Sequence, residues 1–549
     1  MAETPRGGLD WLLATLCVAF PVGVAVAWSA RDPGACFLGP DVEFWGAAVS
    51  ALLRGELGAV AELGRSPLYP LVSALLSSIG LPVEVSLVLV SALGLGCTGG
   101  LSYWWASSRW GRWAGVLAAF PILAQPFIIG HAIHGSAEGL FVLTLLAAVL
   151  ALVRLDRSQG WGWALLAGLA LGMASQTKPQ AVLIAPLALA LPWFPGARPR
   201  RGWLSALVLV GFALPHLGWL VIADNNALGT HLGILGRDAF DAPRPGGPEA
   251  SLGWARHLEQ DGLDTSWFRS SPLPAPLKMV LVNLRRLVGM LLGALIWLWW
   301  VPVGVVAALR DPDRRKARDA AIVLLAVGSF LLSLPVYWQQ RHMVPFLVPL
   351  AMLGGAGIWR LLDRPRWGRP LLGAVALSAV VGSAVGLWRA TQSYDEHRRY
   401  HRCDDGSHEA IMAVAPRLGR RPGFWVHDHD NLLVNGAALR PMPVVGYNPY
   451  LAPLGPEQDW PFGGAADFYL VLYPYLRDSP SLWKAVDAQG MDARAELVWE
   501  GPVPSAQGTG PMRVYRLSLD AETARRPRQA QWPEMGHFEL PEDVPPERR

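Results

Sequence analysis

The chain has 549 residues, 52% of them hydrophobic and only 16% charged, with 26 tryptophans and a formal net charge of +4. Soluble domains carry about a quarter charged residues, whereas here the charge is confined to short clusters between uncharged runs of about 20 residues, the length that crosses about 30 Å of hydrocarbon. A soluble globular protein is excluded, and a small net charge held in interhelical loops gives no basis for a nucleic-acid partner.

In chain order, spans are expected at 10–28, 83–106, 112–130, 136–155, 161–177, 179–195, 203–222, 281–308, 319–337, 343–362 and 370–388. That makes about 11 transmembrane helices in a polytopic α-helical membrane domain over 1–389. The first run also reads as a signal peptide with Ala25-Val26-Ala27 at a cleavage site, but a single Arg6 ahead of a long apolar stretch favours a retained span. Segment 67–80 is apolar over only 14 residues, so it is expected to lie in the interface or re-enter.

Every second loop is basic: "SSRWGR", "RLDRSQG", "PGARPRRG", "RDPDRRKARD" and "RLLDRPRWGR". The connections "HAIHG", "TKPQ" and "WQQRH" carry one Arg or Lys at most. Excess Arg and Lys marks cytoplasmic loops, which puts the amino terminus inside. The segment 41–80, the loop 223–280 and everything after 389 then lie outside. Trp104, Trp105, Trp297, Trp299 and Trp300 are expected in the interfacial belt.

From 390 to 520 the composition becomes that of a small extracytoplasmic α/β domain. "GFWVHDHD", "DFYLVLYPYL", "AELVWEG" and "MRVYRLSL" read as strands and "SPSLWKAVDAQG" as a helix. The Pro-rich, charged tail 521–549 is expected to be disordered. "HDHD" (His427 to Asp430) reads as strand or turn polarity before a metal site. Cys17 and Cys97 fall in spans as small core residues, and Cys36 and Cys403 share the external side, where an oxidising compartment permits a bridge.

The first external stretch, "GPDVEFWGAAVSALLRGELGAVAELGRSPLYP", places Asp41 and Glu43 ahead of an amphipathic segment in which Trp45, Val49, Leu52 and Leu53 share a face. At headgroup depth Asp41 can act as a general base, can hold a divalent cation (Mg or Mn) together with Glu43, or can cap the helix. No other cofactor is expected.

These residues resemble the GT-C superfamily of integral-membrane glycosyltransferases, in particular the bacterial branch of aminoarabinose transferases and protein O-mannosyltransferase-like enzymes. The likeness is carried by "PDVEFWGAAVSALLRGEL", "RSPLYPLVSALLSSIG", "HGSAEGLFVLTLLAAVLALVRL", "GLALGMASQTKPQAVLIAPLALAL" and "YWQQRHMVPFLVPLAMLGGAGIWRLL", in order over residues 10–390. Two departures are the D-x-E spacing of the acidic motif and a glycine after Glu138 where proline is common.

The resemblance implies a multi-pass enzyme of the bacterial inner membrane. It would transfer a sugar, usually with inversion, from a polyprenyl-phosphate donor to a hydroxyl or amine of a lipid, glycan or protein on the external face. By resemblance and position Asp41, with Glu43, is catalytic, while Arg65, Lys178 and Arg341 hold the donor phosphate. Tyr69, His131, His134, Glu138 and His342 are candidates for the sugar or acceptor site. The alternatives are snorkelling for the cations, and, for the whole protein, a lipid-linked polysaccharide ligase or polymerase, a transporter or an inactive scaffold.

Overall fold

The structure is a computed structural model that describes residues 7–31, 42–53, 66–124, 135–193, 201–223, 275–334, 344–363 and 370–378, with isolated positions beside them and four strands near the carboxyl end. Two compact units divide the chain. One comprises Met1–Ala27, Val60–Tyr69 and Val88–Thr391, and the other Trp28–Ala59, Pro70–Leu87 and Gln392–Arg549.

The helices are α1 (Gly8–Arg31), α2 (Val42–Leu53), α3 (Leu68–Ser78), α4 (Val83–Trp110), α5 (Arg112–Ala124), α6 (Glu138–Ser158), α7 (Trp161–Ser175), α8 (Ala185–Ala190), α9 (Arg201–Ala223), α10 (Ala275–Leu298), α11 (Trp300–Leu309), α12 (Arg314–Ser329) and α13 (Val344–Leu362). Among the described residues five helical stretches are long and apolar enough to cross a membrane: Gly8–Ala27, Val85–Trp110, Glu138–Ser158, Gly202–Leu220 and Val344–Leu362. The 11 residues of α3 rise about 16 Å, short of the hydrocarbon thickness.

Two expected spans take a different form. Residues 281–308 are not one helix but α10 and α11, separated at Trp299. Pro302, in the first turn of α11, has no N–H to donate back across that point. The expected span 179–195 is broken into a 3₁₀ turn (Pro179–Ile184), α8 and a second 3₁₀ turn (Leu191–Trp193). Because 3₁₀ turns rise about 2.0 Å per residue, the whole segment still covers roughly 27 Å. Its neighbours agree. A Cβ on Gly168 of α7 would overlap the Val208 carbonyl of α9, and one on Gly172 the Phe212 carbonyl. The two helices therefore run parallel, which requires the segment between them to return.

The basic loops meet. Arg109 Nε donates to Asp319 at 2.8 Å and Arg157 Nε donates to the same carboxylate at 2.7 Å. Arg318 forks onto Asp156. Arg360 donates to the carbonyls of Ala307 and Arg310 at 3.0 Å each. Four of the five basic loops thus share one end of the helical unit; in the fifth, Arg198 and Arg200 lie outside the described residues. Nearby, Arg112 and Tyr103 both donate to Asp10. Tryptophans ring this end with high exposure: Trp11 59%, Trp113 59%, Trp161 69% and Trp203 63%. Of the five tryptophans expected in the belt, Trp299 is exposed and Trp104 half-buried, but two others are internal. Trp300 is buried against Ile358 and Val375, and Trp105 is buried beneath the Arg109 guanidinium, while the side chain of Trp297 lies outside the described residues.

At the other end α4 and α6 cross in near contact. A Cβ on Gly139 would overlap the Ser91 carbonyl, and one on Gly94 the Gly139 backbone. Ser91 Oγ donates to the Ser136 carbonyl at 2.6 Å, pinning the turn that leads into α6. This accounts for glycine after Glu138: the close crossing leaves no room for a side chain. Gly139→Ala is expected to force the helices apart and cost about 1–3 kcal/mol, read as a lowered unfolding temperature of the solubilised protein.

The second unit holds β1 (Pro422–Val426), β2 (Asp467–Leu472), β3 (Glu496–Pro502) and β4 (Pro511–Ser518) in the order β1-β2-β4-β3. β1 and β2 are parallel with Trp425 opposite Leu470, while β4 pairs antiparallel with both β2 and β3. All four strands fall where alternating aromatic and branched residues placed them. The expected helix "SPSLWKAVDAQG", His427 to Asp430, the tail 521–549 and Cys36 and Cys403 lie outside the described residues, and Cys17 and Cys97 are free thiols. On α2, Trp45 and Val49 are buried and Leu53 is exposed, so the expected apolar face is covered only in part.

Candidate functional site

The opposite end of the helical unit from the basic cluster carries an acid and a lysine in direct contact. Glu138 opens α6, and Arg157, 19 residues on, closes it at the basic end, roughly 28 Å away. Lys178 Nζ donates to Glu138 Oε1, and the side chains are 15% and 4% exposed. The local sequence explains both placements. Glu138 occupies the first turn of α6, where the positive end of the helix dipole favours a carboxylate. Lys178 follows the carboxyl end of α7, where the dipole favours a cation, and its N–H closes on the Ala174 carbonyl at 2.8 Å. Pro179 then holds Lys178 extended, with φ −148° and ψ 130°, because a residue before proline is excluded from the helical region. The T-K-P sequence is thus a device for ending a helix with its lysine turned across to a neighbour.

Three further groups support this turn. The Leu68 N–H donates to the Gln176 carbonyl at 3.0 Å, tying the start of α3 to the residues before Lys178. Tyr69, the next residue, is wholly buried. Burial pushes its phenol well above the ordinary tyrosine range, and the Glu138 charge pushes the same way, so the hydroxyl stays protonated.

The third support is a polar chain inside the helices that sequence reading passed over. Gln176 Nε2 lies 2.8 Å from His216 Nδ1, and His216 Nε2 lies 2.7 Å from Ser175 Oγ. An amide nitrogen only donates, so Nδ1 accepts and Nε2 carries the proton toward Ser175, whose hydroxyl donates to the Gly172 carbonyl at 2.8 Å. The signal for it was present: an ionisable residue within an apolar span marks function or a specific partner. Gln176 Oε1 and Gln180 Oε1, flanking Lys178, are buried without a hydrogen-bond partner among the described residues.

The structure therefore brings together Tyr69, Glu138 and Lys178. Asp41, Arg65, His131, His134, Arg341 and His342 lie outside the described residues, and Glu43 is described in backbone only, within α2. Among the described residues no group of three His, Cys, Asp or Glu side chains forms a metal site.

This arrangement of apolar helices is similar in fold to solved structures of ArnT and AglB. ArnT from Cupriavidus metallidurans bound to undecaprenyl phosphate superimposes with a TM-score of 0.56 at 16% identity, covering 95% of this chain and 100% of that one. The apo state of that ArnT gives 0.54 at 15% identity over 92% and 99%. The archaeal oligosaccharyltransferase AglB from Archaeoglobus fulgidus, in complex with an inhibitory peptide and a dolichol-phosphate, gives 0.50 at 12% identity over 84% and 69%. Residues 64–219, which contain Arg65, Tyr69, Glu138 and Lys178, match the family described as dolichyl-phosphate-mannose-protein mannosyltransferase. No curated protein sequence matches the chain.

Proposed function

We propose that this protein is a membrane glycosyltransferase that moves a sugar from a polyprenyl-phosphate donor to an acceptor hydroxyl or amine, on the external face of the bacterial inner membrane. The observation that carries the reading is the Glu138–Lys178 pair: a partly buried lysine held by a buried glutamate at the end opposite the basic loops, within the stretch that matches the mannosyltransferase family. Solved structures of the same fold hold undecaprenyl phosphate and dolichol-phosphate.

In this reading the acceptor oxygen or nitrogen bonds to the anomeric carbon as the bond from that carbon to the phosphate oxygen breaks. The polyprenyl phosphate leaves with the electron pair, the anomeric centre inverts, and Asp41 takes the acceptor's proton. An ammonium has three hydrogens, so Lys178 keeps two for the leaving phosphate while Glu138 accepts one. Arg65 and Arg341 add planar donor forks suited to phosphate. Arg65 is three residues from Leu68, a tether of at most about 11 Å, and Leu68 is bonded to the lysine turn. Tyr69, His131, His134 and His342 stand as sugar or acceptor contacts. Asp41 and Glu43 are the place for Mg or Mn if the reaction uses one, where the ion would add positive charge toward the phosphate.

A binding measurement tests this. Polyprenyl phosphate should raise the unfolding temperature of the purified full-length protein saturably, and the polyprenol of equal length should not. A response to polyprenyl diphosphate alone would move the protein to the lipid-linked ligases and polymerases, and a response to neither lipid would remove the donor from the reading.

A further inference from the structure

The basic end does more than clamp helices. Asp319 is 1% exposed and serves two guanidiniums, those of Arg109 and Arg157, so one carboxylate stands against two cations. Arg109 is 4% exposed, lies 4.6 Å over the Trp105 ring, and its Nη2 is buried without an acceptor among the described residues. Of the other described carboxylates on these helix ends, Asp363 is exposed, Asp10 pairs with Arg112, and three more have partners of their own. Asp156 takes the fork of Arg318, Asp311 accepts from Trp110 Nε1 at 2.9 Å and has Arg360 at 3.9 Å, and Asp313 caps α12 through the Arg315 N–H. Lys316 sits 5.7 Å over the Trp110 ring. The cluster therefore keeps uncompensated positive charge.

That charge emerges at one edge. Arg157 is 31% exposed, and Arg154, three residues earlier, lies on the same helix face one turn away. Immediately beyond them come Trp161, 69% exposed, and Trp163, 39% exposed. Exposed tryptophans of this kind sit at the headgroup level, and Leu166 continues the exposed apolar surface of α7 toward the hydrocarbon.

We propose that the Arg154–Arg157 edge, backed by Arg109 and Lys316, is a binding site for the phosphate of an anionic phospholipid in the leaflet at the basic end. The guanidiniums take the phosphodiester oxygens, which arginine recognises through paired donors, and the acyl chains lie along α7 beside Trp161, Trp163 and Leu166. Basic recesses between helices on the positive side of a membrane protein bind such headgroups. The occupant is a lipid rather than free phosphate because the edge opens at belt depth, beside apolar surface that water would not cover favourably.

The test uses the delipidated full-length protein in neutral detergent, titrated with phosphatidylglycerol, with phosphatidylcholine of the same acyl chains, and with inorganic phosphate. Phosphatidylglycerol should raise the unfolding temperature saturably and remain attached in native mass spectra, and the other two should do neither. Arg154→Gln and Arg157→Gln should each raise the half-saturating concentration about fivefold. Arg112→Gln, whose guanidinium pairs with Asp10 at the same end, should leave it unchanged. Should Arg157→Gln fail to fold for want of its Asp319 bond, Arg154→Gln still decides, because it lies outside that pair. Equal responses to the two lipids, an equal response to inorganic phosphate, or parental half-saturation in Arg154→Gln would overturn the proposal.

Discussion

Asp41→Asn should accumulate to the parental level, still bind polyprenyl phosphate, and transfer sugar about 10²–10⁴-fold more slowly, the loss expected when a general base is removed. The folded protein should tolerate the change. The alternative role read from the sequence, a helix cap ahead of α2, is one that asparagine fills about as well. A cap and a base are thus separated by one substitution: the first role survives it and the second does not. Near-parental turnover, measured with a labelled donor, would return Asp41 to the role of a cap. Glu43→Gln should be milder unless the two carboxylates share a cation, in which case chelation would inhibit the parent as well.

The second large effect concerns Glu138 and Lys178. Glu138→Gln takes the carboxylate away from the partly buried Lys178 ammonium, at the lower end of the about 3–5 kcal/mol that breaking a buried pair costs, so the variant should unfold at markedly lower temperature. Replacing both, as Glu138→Leu with Lys178→Met, removes both charges and should restore most of that stability. On the proposed mechanism it should not restore transfer, because the ammonium assigned to the leaving phosphate is gone; loss of one such donor costs about 10²–10³ in rate. Parental transfer by the stable double variant would show the pair to be a helix clamp and nothing more.

How much of this was legible in the sequence depends on the range of the interaction. Span positions follow from composition over about 20 residues, and the alternation of basic loops from charge that must stay on one side; both needed only local counting. The four strands were legible for the same reason, since alternation of aromatic and branched residues is local. Long-range partners were not. Glu138 and Lys178 are 40 residues apart, and Arg109 and Asp319 are 210 apart. Nothing in either stretch says which charge meets which. Hence a lysine assigned to phosphate and a glutamate assigned to sugar prove to be one pair, and the aspartates in basic loops prove to be its counterparts at the far end.

Tryptophan misled in a related way. Trp105 and Trp300 were expected in the belt because tryptophan near a span end usually sits there. Trp105 instead forms the floor for a buried guanidinium, and Trp300 fills the core just after the helix break. His216 is not legible locally, because it lies within one span while its partners Ser175 and Gln176 close a different helix. The break at 179–193 was likewise invisible to hydropathy, which measures how apolar a segment is and not how tightly it is wound.

The central claim is that this chain takes a sugar off a polyprenyl phosphate. The direct measurement is to reconstitute the full-length protein in liposomes with a polyprenyl-phosphate donor labelled in the sugar, and to supply a membrane extract containing lipid, glycan and protein acceptors. The account predicts that label leaves the donor for an acceptor in step with release of free polyprenyl phosphate, and that Asp41→Asn stops both. Label that stays on the donor, at a rate no different from protein-free liposomes, would contradict it.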